Sequence, residues 1–118
     1  MYEVRIVREF SSAHRVEDYA GNCERLHGHN WKVEVIVRKE ALDGLGMVMD
    51  FRKLKEHSDK ALEPLDHTYL NDTPPFDKVN PTAENIAKYV YDEISKVVKV
   101  SRVNVYETDS SVASYFEE

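Results

Sequence analysis

Between Tyr2 and Ser12 apolar and polar positions alternate, with Tyr2, Val4, Ile6 and Phe10 on one side and Glu3, Arg5, Glu9 and Ser11 on the other. A period of two predicts a strand with one buried face. Asp18, Gly21 and Asn22 mark a loop. A second alternation, Trp31, Val33, Val35 and Val37 against Lys32, Glu34 and Arg38, predicts a strand that begins near His27 and is broken by Asp43-Gly44-Leu45-Gly46. From Asp50 the period lengthens. Phe51, Leu54, Ser58, Ala61 and Leu62 fall on one helical stripe, with Asp50 as N-cap and Pro64 just past the end. The stretch 66–81, rich in Asp, Asn, Thr and Pro, reads as a loop. A second helix starts at Pro81-Thr82, with Thr82 as the cap and Ala83, Ile86, Ala87, Val90, Ile94 and Val97 as its apolar stripe. Two short strands, 100–106 and 112–116, close the chain around an Asp109-Ser110 turn.

The order strand, strand, helix, helix, strand, strand predicts an α+β layer: an antiparallel four-stranded sheet with two helices on one face. No repeat or linker divides the chain, so a single domain over 1–118 is expected. Such a sheet has two edges, and pairing with another subunit is one way to protect them. Composition narrows the function. The 118 residues include 22 Asp+Glu against 16 Lys+Arg, a net charge of −6, which argues against direct binding of nucleic acid or an anionic membrane. The apolar runs are too short for a membrane span. Met1-Tyr2-Glu3-Val4-Arg5 carries charge where a signal peptide needs an apolar core. One cysteine, Cys23, cannot form an internal disulfide, and a reducing, cytoplasmic location is expected.

Candidate chemistry centres on histidine. His27-Gly28-His29 opens the second strand, where residues i and i+2 point to the same face. Gly28 between them would let another backbone approach. If the first two strands pair, His14, just past the end of the first, becomes their neighbour. Three imidazoles with an open fourth position make a catalytic zinc arrangement, and no further cysteine is present to close it. Surface or polar-core histidines remain the bland alternative. Cys23, four residues before His27, is a candidate general base if a nearby cation lowers its pKa, and otherwise a small buried hydrophobe. Asp66-His67 is a candidate acid-oriented imidazole. Glu107, at a strand end, could accept two parallel hydrogen bonds from a guanidine-like ligand edge.

Six blocks carry a resemblance: Phe10-Ser11-Ser12-Ala13-His14, Cys23-Glu24-Arg25-Leu26-His27-Gly28-His29-Asn30, Gly46-Met47-Val48-Met49-Asp50-Phe51, Leu65-Asp66-His67, Asn80-Pro81-Thr82-Ala83-Glu84-Asn85 and Val105-Tyr106-Glu107-Thr108. Together, and in this order, they resemble the 6-pyruvoyltetrahydropterin synthase / 6-carboxytetrahydropterin synthase family. The resemblance implies the tunnelling fold, in which ββααββ subunits join their sheets into a barrel as a homotrimer or a stacked homohexamer. It implies zinc held by His14, His27 and His29, and 7,8-dihydroneopterin triphosphate as the substrate. Glu107 would anchor the pterin ring, with Thr82 close by. Cys23, as thiolate, would take a side-chain proton, and His67 backed by Asp66, from a neighbouring subunit, would relay protons.

The spacing from Cys23 to His27-Gly28-His29 resembles the branch that forms 6-carboxytetrahydropterin for 7-deazapurine (queuosine-type) synthesis. Glu24, however, stands at the Glu-x-x-His-Gly-His spacing of a branch that cleaves the side chain to 6-hydroxymethyl-7,8-dihydropterin. Glu24 is thus a candidate second base, or a solvated charge. Two other readings stand beside the synthase. One is a non-catalytic zinc- or pterin-binding module, the other a related tunnelling-fold enzyme such as an aldolase or cyclohydrolase.

Overall fold

The computed structural model describes residues 1–16 and 26–118. Strands β1 (Tyr2–His14) and β2 (His27–Lys39), thirteen residues each, pair antiparallel in one unbroken register from Tyr2↔Lys39 to His14↔His27. Directly opposed residues share a face. Phe10 with Trp31, Ser12 with His29, and His14 with His27 therefore stand in consecutive rows on one side of the sheet.

The sheet departs from the four antiparallel strands expected. Among the described residues it has five strands and is mixed, in the order β3-β1-β2-β4-β5. The extra strand, β3 (Thr68–Tyr69), runs parallel to Ser12 and Ala13 at the outer edge of β1. Two residues carry no readable period, which is why this part of 66–81 looks like a loop in sequence. Local bonds hold it: the Ser12 hydroxyl donates to the Leu65 carbonyl, and Thr68 Oγ1 donates to the same oxygen at 2.9 Å. Strands β4 (Arg102–Thr108) and β5 (Ser111–Tyr115) complete the other side, both antiparallel to their neighbours.

Two helices cover one face, as their caps and stripes predict. Asp50 accepts from the Arg52 N–H at the start of α1 (Phe51–Leu62), and Thr82 accepts from the Asn85 N–H at the start of α2 (Ala83–Ser95). The buried stripes are shorter than expected. Leu54, Ser58, Ala61 and Leu62 are buried in α1 and Ile86, Ala87, Val90 and Ile94 in α2. Phe51, on the first residue of its helix, and Val97, past the last turn of α2, are exposed. Helix α1 packs on β1, and α2 on β4 and β5. Between them and the sheet lies one cluster that includes Ile6, Phe10, Trp31, Val33, Val35, Leu54, Ile86, Val90, Val103 and Val105. Each such side chain contributes about 1.5–3 kcal/mol on burial. No described helix is long and apolar enough to cross a membrane.

Among the described residues, the other face carries no helix. There Glu34 receives the Arg5 guanidinium at 3.2 Å and the Asn104 amide at 3.0 Å, and Ser114 donates to Asn104 at 2.6 Å. Burial alone would push the Glu34 carboxyl up. The hydrogen bonds from Asn104 and Arg5 outweigh it and hold the group below the ordinary carboxylate range.

Candidate metal centre

The inner face of the sheet runs from apolar to polar at its His14/His27 end. Trp31, fully buried beside Phe10, closes the core. Beyond it, the register stacks Ser12 with His29 and then His14 with His27. Trp31 is fixed by its indole N–H, which donates to the Ser12 carbonyl at 3.3 Å. The rings of His14 and His29 stand edge-on to it at 4.8 and 5.2 Å between centroids. Alternation along two paired strands thus delivers three imidazoles to one point above an aromatic floor. His14 is the last residue of β1 rather than lying beyond it.

Their nitrogens converge. His14 Nε2 and His27 Nε2 are 3.1 Å apart. Glu107, next to last in β4, completes the cluster: its Oε1 lies 3.2 Å from His29 Nε2 and 3.8 Å from His27 Nε2, and its Oε2 lies 4.0 Å from His14 Nε2. One ligand atom from each of the four residues falls within 4.8 Å of every other. In a tetrahedral site with ligand bonds of about 2.1 Å, neighbouring donors lie about 3.4 Å apart. Three imidazoles and one carboxylate at these separations fit a divalent metal ion. The sequence reading places Glu107 at the ligand; its carboxylate stands beside the three histidines, among the groups that could hold the ion. A signal for this was present: Val103, Val105 and Glu107 alternate, so Glu107 shares the inner face with the buried valines.

His14 is oriented from behind. Its Nδ1 lies 2.7 Å from the carbonyl of Pro81, which can only accept, so Nδ1 carries the proton and the Nε2 lone pair faces the centre. Pro81 immediately precedes Thr82, the cap of α2, so Thr82 stands next to the residue that braces the site. A backbone carbonyl has no sequence signature, and this brace was not legible. Nor was the clamp on the residue after His14. Asn71 accepts from the Arg15 N–H at 2.8 Å and donates to the Arg15 carbonyl at 2.7 Å.

Asp66 and His67 form a pair, but apart from the four-residue cluster. His67 Nδ1 lies 3.0 Å from Asp66 Oδ2, and the His67 side chain is 81 % exposed. The Ser11 N–H donates to Asp66 Oδ1 at 2.9 Å, and the His67 N–H donates to the Ser11 carbonyl, which docks the pair on the edge of β1. That Ser11 bond, aided by His67 and opposed by slight burial, holds the Asp66 carboxyl below its usual range. His67 has φ 56°, in the left-handed region uncommon for a residue with a Cβ. Among the described residues, a Cβ added at Gly28 would find no atom within 4 Å. Cys23 and Glu24 lie outside the described residues.

The chain matches the family model described as 6-pyruvoyl tetrahydropterin synthase over residues 3–118. It belongs to the 6-pyruvoyl tetrahydropterin synthase family. Among curated relatives of this family, it is 39 % identical to the human 6-pyruvoyl tetrahydrobiopterin synthase, over 94 % of this chain and 81 % of that one. It is equally 39 % identical to the 6-carboxy-5,6,7,8-tetrahydropterin synthase of Synechocystis, over 94 % and 92 % of the two chains. The dihydroneopterin monophosphate aldolase of Pyrococcus furiosus is also 39 % identical, over 83 % of this chain and 82 % of the other. The solved structure of Caenorhabditis elegans 6-pyruvoyl tetrahydropterin synthase superposes with a TM-score of 0.88 at 28 % identity, over 99 % of this chain and 96 % of that one. The tunnelling fold of 6-pyruvoyl tetrahydropterin synthase is therefore the fold of this chain.

Proposed function

We propose that the chain is a zinc-dependent pterin synthase that converts 7,8-dihydroneopterin triphosphate to a 6-substituted tetrahydropterin, 6-carboxytetrahydropterin or 6-pyruvoyltetrahydropterin, with loss of triphosphate. The observation that carries this reading is the convergence of His14, His27 and His29 through Nε2 within a chain of this family. Such an imidazole-rich set suits zinc, which when bound supplies Lewis acidity toward the oxygens of a substrate side chain. The chain's own groups do the rest. Glu107, with Thr82 nearby, holds the pterin: a carboxylate matches the paired donors of a guanidine-like edge. Cys23, as thiolate, takes a proton from the side chain. Asp66 holds the Nδ1–H of His67, leaving Nε2 to pass a proton at the opposite side. Because the His67 ring is exposed and outside its own chain's four-residue cluster, this pair is assigned to the site of a neighbouring copy. The working form is then a homotrimer or homohexamer with sheets joined in a barrel, acting in the cytoplasm on a small molecule and on neither nucleic acid nor membrane.

The test is to incubate zinc-loaded protein with 7,8-dihydroneopterin triphosphate and weigh the products. Conversion to the carboxy- or pyruvoyl-tetrahydropterin supports the reading, and recovery of unreacted substrate refutes it. A second reading has a specific observation behind it, the identity with the Pyrococcus aldolase. In it Glu24 is the base and the product is 6-hydroxymethyl-7,8-dihydropterin, which the same mass spectrum distinguishes. A Cys23→Ala protein that stops making tetrahydropterin while still cleaving the side chain assigns that second reaction to Glu24.

A further inference from the structure

Glu107 occupies a place that substrate anchoring alone does not require. A carboxylate reserved for the pterin would be free to point at the ligand. Instead its two oxygens lie 3.2–4.0 Å from the Nε2 atoms of all three histidines. These contacts are not surface accidents. His14 is almost wholly buried, and β4 registers Tyr106 against Lys32, which sets Glu107 beside Trp31 on the inner face, above the same floor. The spacing is that of donors around one ion, about 3.4 Å for a tetrahedron.

We propose that Glu107 is the fourth metal ligand of the substrate-free protein and leaves the ion when a pterin arrives. The inference rests on the proposed function, in which the same carboxylate binds the pterin ring. One group cannot do both at once. In the resting state Glu107 closes the tetrahedron and offsets one unit of the ion's charge. On binding, its oxygens turn to the guanidine-like edge, and the coordination position it vacates opens toward the side chain. The exchange couples recognition of the ring to exposure of the ion. A ligand without the pterin edge leaves the position capped.

The experiment compares the wild-type chain with Glu107→Gln and Glu107→Ala, each loaded with Co2+ and Zn2+ in the absence of any pterin. Metal affinity is read by chelator competition and coordination by the visible absorption of Co2+. The expected result is that both variants lose at least ~10-fold in affinity, the low end of what removing even an outer partner costs, with a shifted Co2+ spectrum. Adding neopterin to the wild-type Co2+ protein should shift its spectrum as well. Unchanged affinity and spectrum in both variants, with wild-type metal binding intact, overturns the proposal while leaving the synthase reading standing. A wild-type chain that binds neither metal overturns both. Circular dichroism of the metal-free variants separates lost ligation from lost fold.

Discussion

His67 shows how much a single residue can carry that a sequence does not display. The Asp66-His67 dipeptide is readable as a candidate relay, but its left-handed backbone is not, because φ is set by the two bonds to Ser11 that dock the pair on β1. A residue with a Cβ is penalised there and glycine is not. His67→Gly should therefore unfold at higher urea than His67→Ala, by about 0.5–1 kcal/mol. Equal midpoints would mean that the strain is absent. The histidines are the opposite case. His27 and His29 are legible because strand alternation alone places them side by side, and His14 because hairpin pairing brings it across. His27→Ala should keep the fold, since that ring sits at the open end of the sheet, yet lose at least ~10-fold in zinc affinity. Zinc retained through dialysis is the measurement. Glu107 is legible as an inner-face residue from its alternation with Val103 and Val105, but its approach to the three imidazoles is not, because the pairing of β4 with β2 has no signature in either segment.

At the scale of elements, propensity and capping were legible and short pairings were not. The caps Asp50 and Thr82 and the two long strands stand where the pattern puts them, whereas β3 escaped because two residues show no period. Thr82 does double service. It accepts the Asn85 N–H at 3.1 Å, and the carbonyl just before it braces His14. Thr82→Ala should cost about 1 kcal/mol of stability, a fall of several degrees in Tm for a domain of this size. It should also weaken zinc binding as the Pro81 carbonyl loosens. The helix-free face makes a pH-dependent prediction. The Glu34 carboxyl is held below its unfolded value by the hydrogen bonds from Asn104 and Arg5. A depressed carboxyl stabilises the folded chain fully above that value, and the contribution fades as pH falls through the folded value. Asn104→Ala removes one donor and raises the folded value. Its stability deficit against wild type should be largest at neutral pH and shrink below about pH 4, as read from urea midpoints across the series.

At the scale of the whole molecule, the four-residue cluster and the Asp66-His67 pair stand apart within the chain. The metal cluster opens at one end of the inner face. The Asp66-His67 pair is docked on the outer edge of β1, with its ring turned to solvent. The sheet is unfinished: among the described residues, β3 covers β1 only at Ser12 and Ala13, and β5 has no strand beyond it. Open edges invite pairing with another copy, and edge-to-edge joining is what would carry one subunit's His67 to another's metal. Strand alternation reveals the cluster, whereas the proposed meeting of the two groups across copies would leave no period in the chain. If the proposed composite site is right, two dead variants should rescue one another. His29→Ala spoils the metal half, and His67→Ala spoils the relay half. Each homo-oligomer is expected to be inactive. Unfolded together at equal amounts and refolded, they should form mixed oligomers in which about a quarter of the sites pair an intact metal half with an intact relay half, by random mixing of equivalent subunits. Turnover near a quarter of wild type, measured against the same variants refolded separately and then combined, supports sharing between subunits. Activity that stays at the level of the separate variants, in mixed oligomers verified by mass, returns His67 to its own chain's site.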